Sequence, residues 1–181
     1  MQTELVIAGF GGQGVLFTGQ LLSYAAMDAG KEVTWIPSYG PEMRGGTANC
    51  TVIISDEEIG SPLVRYPAAV IVMNLPSLDK YEEQVKPGGV LVINTSLVNR
   101  SAVRRDIMSV EIPANEIAES IGDKRLTNMV LLGGLLANLP VLTLENLEAA
   151  IRAHTPARHQ RLMPLNLQAL QQGATYLAQV K

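Results

Sequence analysis

The sequence predicts a single α/β domain over residues 1–181, with three layers, a mostly parallel sheet and a helical C-terminal part. Three observations carry this. Apolar strand-type runs alternate with helical runs as far as Ile112. Two of those runs, Ala68–Met73 and Val90–Asn94, are almost wholly apolar, the pattern of strands covered on both faces. From Ala114 onward helical spacing takes over. A chain of 181 residues that is 47% apolar and 17% charged has the material for a sizeable core and is excluded from the disordered class.

The elements follow in order. Glu4–Ala8 is a short strand, and the turn Gly9–Gly14 leads into a helix running to about Ala29. In that helix Val15, Leu16, Leu22, Ala25, Ala26 and Ala29 recur at helical spacing, and Gly30 supplies the stop. Glu32–Ile36 is the second strand. A long irregular loop separates it from a third, Ala48–Ser55, where Asp56-Glu57-Glu58 is a polar turn expected to close a hairpin with Ile59. Pro76–Val85 reads as a helix with proline near its start, broken by Pro87-Gly88-Gly89. Ile107–Ile112 is a further strand, and helices are expected over Ala114–Ile121, Thr127–Leu139, Leu144–Ala153 and His159–Gln179. No internal repeat interrupts the pattern.

Charge and composition narrow the function classes. A net charge of −3 without a basic block argues against nucleic acid as a partner. No apolar run approaches the roughly 20 residues that span a bilayer, so no membrane partner is expected. The opening MQTELVIAGFGG lacks a charged leader region and reads as a first strand. With its single cysteine, Cys50, the chain forms no internal disulfide, and a cytoplasmic location is the expectation.

Two glycine-rich segments stand out. The first, AGFGGQGV at Ala8–Val15, places Gly9, Gly11 and Gly14 in a G-x-G-x-x-G arrangement, with Gly12 as an extra glycine and Gln13 between. A loop of this kind, set between a strand and a helix, lets backbone N–H groups and the positive helix end meet a phosphate; it makes the fold Rossmann-like. A dinucleotide site also needs an acid at the end of the second strand to hold the ribose. Thr34, Trp35 and Ile36 occupy that region, and Glu32 comes too early. The missing acid argues against a bound dinucleotide and leaves phosphate-like contact with a partner's cofactor, or a tight turn that only packs the helix on the sheet.

The second segment, PSYGPEMRGGTANC at Pro37–Cys50, is rarer. About a dozen irregular residues inside a compact domain point to function or an interface. Its centre is Tyr39, Gly40, Pro41, Glu42, Met43, Arg44, Gly45 and Gly46, followed by Asn49. Arg44 beside two glycines is placed to reach a carboxylate, a phosphate or a neighbouring subunit, and Glu42 offers it a local partner. The plainer alternative is a rigid loop in which Arg44 pairs locally.

Other constellations carry no chemistry of their own. Cys50, with no histidine near it, reads as a small core residue. His154 and His159 are too few for a metal site, and no C-x-x-C run exists to hold an iron–sulfur cluster. Gly122-Asp123-Lys124 lacks the GDG that opens a thiamine diphosphate motif. Gly133-Gly134 reads as a site of close helix packing. Asn128 either caps its helix or faces the glycine loop, and capping is the preferred reading. No residue is assigned a catalytic role.

Together GFGGQGV, PSYGPEMRGGTANCTVIISDEEIGSP, MNLPSLDKY with VKPGGVLVINTSL, NMVLLGGLLA and LNLQALQQG resemble the gamma subunit of 2-oxoacid:ferredoxin (acceptor) oxidoreductases along nearly the whole chain. SYGPEMRGGTANC is closer to the 2-oxoglutarate and branched-chain 2-oxoacid types than to the pyruvate type. Pro164, where the family often has an acidic residue, departs from the pattern at one helix start. The resemblance implies a complex that converts a 2-oxoacid and coenzyme A to acyl-CoA, carbon dioxide and reduced ferredoxin. Thiamine diphosphate and iron–sulfur clusters would be carried by alpha, beta and, where present, delta subunits, and none by this chain alone. Gly9, Gly11, Gly12, Gln13 and Gly14 would form the family's glycine loop, and Tyr39–Gly46 its companion, both near coenzyme A or partner subunits. Two alternatives are a free-standing dinucleotide-binding dehydrogenase and the small subunit of an indolepyruvate oxidoreductase.

Overall fold

A computed structural model describes residues 1–40 and 46–180. Its strands are β1 (Gln2–Phe10), β2 (Glu32–Tyr39), β3 (Thr47–Ser55), β4 (Ala69–Val72), β5 (Val90–Asn94) and β6 (Met108–Ile112). The α-helices are α1 (Val15–Asp28), α2 (Leu75–Tyr81), α3 (Ala114–Ile121), α4 (Thr127–Asn138), α5 (Leu144–His154) and α6 (Met163–Val180). A 3-10 turn, Glu82–Gln84, continues α2, and others precede α4 and α6. The expected helix from His159 thus divides, with Pro164 in the first turn of α6, where a missing N–H costs nothing.

The six strands form one sheet in the order β2-β3-β1-β4-β5-β6. The pairs β1–β4, β4–β5 and β5–β6 are parallel, as expected for the apolar runs at their centre. β3 differs: it pairs antiparallel with both β2 and β1, with Tyr39 opposite Ala48 and Phe10 opposite Thr47. The hairpin partner of β3 is therefore β2, reached through residues 40–46, and not Ile59. A parallel crossover needs a dozen or more residues, so the short link between β2 and β3 dictates the reversal. The irregular loop is correspondingly shorter than expected, because Pro37, Ser38 and Tyr39 extend β2 and Thr47 to Cys50 belong to β3. β2 is an edge strand, which is where Pro37 is tolerated.

The two sheet faces are covered unequally. One face packs Leu5, Ile7, Val52, Ile71, Val92 and Val110 against α1 and the C-terminal helices in the larger core. The other packs Val6, Ala8, Val70, Val72, Leu91 and Ile93 against Leu78, Tyr81, Val85, Val98 and Ala102. As the sequence predicts, Cys50 is core: it is fully buried, and burial pushes its thiol up to about 11. α4 and α6 approach closely at Gly133 and Gly173, where an added Cβ would strike the backbone of the facing helix at Leu170 and Val130. His154 ties α5 to α1 by stacking on Tyr24, with centroids 4.4 Å apart, and by bonding Asp28 at 2.8 Å.

Candidate functional site

β1, β4, β5 and β6 all end at one edge of the sheet, the edge at which open α/β folds gather ligands. The glycine loop leaves β1 there. Gly14 is the N-cap of α1 with φ 80°, a left-handed conformation that disfavours a side chain. Among the described residues no side chain caps α1, and its first turn holds no acid to offset its positive end. Gly12, also at positive φ, has open space where a Cβ would be.

The two glycine-rich segments meet. Gly11 N–H donates to Gly46 O at 2.9 Å, and Gly40 N–H donates to Thr47 O at 3.2 Å. Phe10, Gly11, Gly12, Gly14, Val15, Leu16, Phe17, Tyr39 and Ala48 line a largely apolar cavity of about 480 Å³ between them. Tyr39 and Phe17 are exposed at its mouth. Asn49 does not join this cavity; it lines a small cleft with Pro76, Ser77, Lys80 and Tyr81 by α2. Strand alternation explains this, since Ala48 and Cys50 point to the α1 side. Pro41, Glu42, Met43, Arg44 and Gly45, with the expected Glu42–Arg44 pair, lie outside the described residues.

A second cavity of about 280 Å³ opens on the other side of Gly12 and Gly14, lined by Arg125, Asp123, Asn128 and His159 among others. Here Asn128 departs from its expected capping role. Its Nδ2 donates to Thr18 Oγ1 at 3.2 Å, and Thr18 Oγ1 donates to Gly14 O at 2.9 Å. Its side chain fills the space a Cβ on Gly14 would need, 2.6 Å from Nδ2. The N-cap of α4 is Leu126, without a side-chain bond. Arg125 is held by Asp123 through Nε at 2.9 Å and Nη2 at 2.6 Å, and these bonds lower the Asp123 carboxyl to about 2.

Residues that the sequence reading passed over complete this edge. Asn74, after β4, caps α2 by accepting from Ser77 N–H at 2.9 Å. Asn94, fully buried at the end of β5, accepts from Ala114 N–H at 3.3 Å and donates to Asn115 Oδ1 at 3.0 Å. The available signal is an asparagine directly after an apolar strand, at Met73-Asn74 and Ile93-Asn94. Neutral amides therefore secure the loops here and add no negative charge at the positive end of α1. The dinucleotide alternative fails on topology. β3 lies between β1 and β2, so the second strand is displaced by about 10 Å from the place next to β1 that a ribose-binding acid requires.

Residues 4–176 match the pyruvate ferredoxin/flavodoxin oxidoreductase family. The chain belongs to this family. Ketoisovalerate oxidoreductase subunit VorA of Methanothermobacter thermautotrophicus is 40% identical over 178 residues, which are 97% of this chain and 36% of that subunit. The chain thus spans about a third of the length of the ketoisovalerate relatives it matches. 2-Oxoglutarate synthase subunit KorC of Methanocaldococcus jannaschii is 36% identical over 159 residues, 86% of this chain and 85% of that subunit. The gamma subunit of a keto/oxoacid ferredoxin oxidoreductase from Geobacter sulfurreducens superposes with a TM-score of 0.83 at 30% identity, covering 97% of this chain and 99% of that one.

Proposed function

We propose that this chain is the gamma component of a 2-oxoacid:ferredoxin oxidoreductase acting on 2-oxoglutarate or a branched-chain 2-oxoacid. The complex would convert the 2-oxoacid, coenzyme A and two oxidised ferredoxins to acyl-CoA, carbon dioxide, two reduced ferredoxins and a proton. The observation that carries the reading is the contact between the glycine loop and the hairpin at Gly11–Gly46, at the sheet edge of a chain similar throughout to gamma subunits. The single cysteine, buried and with a raised pKa, does not fit an iron–sulfur cluster, which needs several thiolates. Clusters would therefore be carried by alpha, beta or delta partners, as the resemblance also implies for thiamine diphosphate, and electrons would reach ferredoxin through them.

Coenzyme A fits this chain better. The amides of Gly12, Gly14 and Val15–Phe17, which have no acceptor among the described residues, would hold its phosphates, with Arg125 and His159 nearby. The cavity between Phe17 and Tyr39 would take apolar parts of the carrier or of a partner subunit. Coenzyme A supplies the thiol that accepts the acyl group; this chain binds and orients it. The isolated chain is expected to be inactive.

The test is anaerobic affinity purification of this chain from its native cells. Eluates are assayed for thiamine diphosphate, iron and viologen reduction with 2-oxoglutarate, 3-methyl-2-oxobutanoate, pyruvate and indolepyruvate. Co-purified larger subunits with activity on either of the first two acids are expected. A lone chain carrying a bound dinucleotide would overturn the reading, and preference for indolepyruvate would move it to that related enzyme.

A further inference from the structure

We propose that Gln13 is the positioning residue of the glycine loop: its carboxamide folds back over Gly9, fixes the loop's shape and locks it to the start of α2. Gln13 then serves the ligand without touching it. Phe10 N–H donates to Gln13 Oε1 at 2.6 Å, and Asn74 Nδ2 donates to the same oxygen at 3.4 Å. Gln13 Nε2 donates to Met73 O at 3.4 Å, beyond the end of β4, and its backbone N–H donates to Phe10 O at 3.1 Å. Gly9 makes this possible, because a Cβ there would lie 2.6 Å from Oε1. The first glycine of the loop thus makes room for a half-buried clamp.

The clamp sorts the loop's donors. The N–H groups of Phe10, Gly11 and Gln13 are engaged by Gln13 Oε1, Gly46 O and Phe10 O. Those of Gly12, Gly14 and Val15–Phe17 find no acceptor among the described residues, and these are the donors the proposed ligand would meet. The link continues into α2, because Asn74 both donates to Gln13 and caps that helix, and it is itself 3% exposed. A glutamate at position 13 would keep the acceptor but lose the donor to Met73 O.

This inference rests on the proposed function only for what the loop binds, and its test separates the two. Amide hydrogen exchange is measured on the full chain carrying Gln13→Ala, Gln13→Glu or Gly9→Ala. KM values for coenzyme A and the 2-oxoacid, and kcat, are measured on the reconstituted oxidoreductase. For Gln13→Ala, exchange at Phe10, Gly11 and Gln13 should quicken about 10- to 100-fold, the range for losing partners of shielded donors. KM for coenzyme A should rise about tenfold while kcat and the 2-oxoacid KM hold, because the lost binding affects ground and transition states alike. Gln13→Glu should fall between wild type and Gln13→Ala in exchange. Gly9→Ala should reproduce the exchange pattern, and the double variant should add little to it. Faster exchange with an unchanged coenzyme A KM would uphold the clamp and remove coenzyme A from the loop. A raised KM with unchanged exchange would make Gln13 a ligand contact and overturn the inference.

Discussion

Two sets of interactions pin irregular chain onto this sheet, and their chemistry is opposite. Over the C-terminal edge the work is done by neutral amides: Gln13, Asn74, Asn94 and Asn128. Under the thinly covered face it is done by charge. Glu82, 2% exposed, accepts from Arg100 Nη1 at 2.8 Å, Val103 N–H at 2.5 Å and Arg104 N–H at 3.1 Å. Arg104 in turn donates to Glu82 O at 3.1 Å and pairs with Asp106. Where a segment only has to be held, a fully satisfied buried carboxylate serves. At the helix end proposed to meet an anionic ligand, a carboxylate would neutralise the positive charge.

Breaking the charged clamp should give the largest effect. Glu82→Ala strands two backbone donors and Arg100, and unfolding stability should fall by about 3 kcal/mol, at the low end for a buried pair because Arg100 reaches water. Chemical denaturation of the variant checks this, and exchange at residues 9–14 should stay as in wild type. The same carboxylate sets an acid limit. Burial raises its pKa, but hydrogen bonds from Arg100, Arg104 and Val103 outweigh burial and leave it below the ordinary 4.5. Its contribution is therefore complete above about pH 4.5 and is lost as pH falls through the lower folded value. Stability curves from pH 6 to pH 3 should be shallower for Glu82→Gln than for wild type.

How legible each region was depends on the range of its interactions. Val90–Asn94 and Ala114–Ile121 match their expected bounds, and Cys50 and Gly133 behave as read, because apolar pattern and small size reveal burial directly. Glu82 was hidden because Glu82-Glu83-Gln84 looks like a solvated helix end, and its partners lie about twenty residues on. Asn128 was misjudged for a similar reason. A residue at the start of a helix has a local capping role available, whereas its partner, Thr18, is 110 residues away. The hairpin was misassigned because a polar turn after Ser55 competed with a link through residues 40–46. Only the pairing register shows that β2 is the partner.

The amide rim invites the next test, in which stability and binding should separate. Asn128→Asp puts a carboxylate beside Gly14 at the positive end of α1. Its favourable position there offsets part of its burial cost, so unfolding stability should change by less than about 1 kcal/mol. Coenzyme A binding should weaken about tenfold, since the added charge opposes an anion at the same helix end. Calorimetric titration of the assembled complex gives the second number and denaturation of the chain gives the first. Equal losses in both would mean that the neutrality of the rim is only a packing requirement.

The smallest expected effect has the opposite sign. Asp123 is the one carboxylate among the described residues that line the second cavity, and with its pKa near 2 it stays ionised and holds Arg125 across the physiological range. Arg125 is 70% exposed at the side chain, so the pair is screened and weakly stabilising. Asp123→Asn keeps an acceptor for Arg125 N–H, bonded to Oδ1 at 3.0 Å, and so keeps the turn before α4. It releases the guanidinium and removes one negative charge from the cavity. Affinity for coenzyme A should rise about threefold at low ionic strength, and the gain should shrink as salt screens the freed charge. A loss of affinity instead would mean that Asp123 orients Arg125 toward the ligand, and charge would then be part of the rim's design as it is of the clamp's.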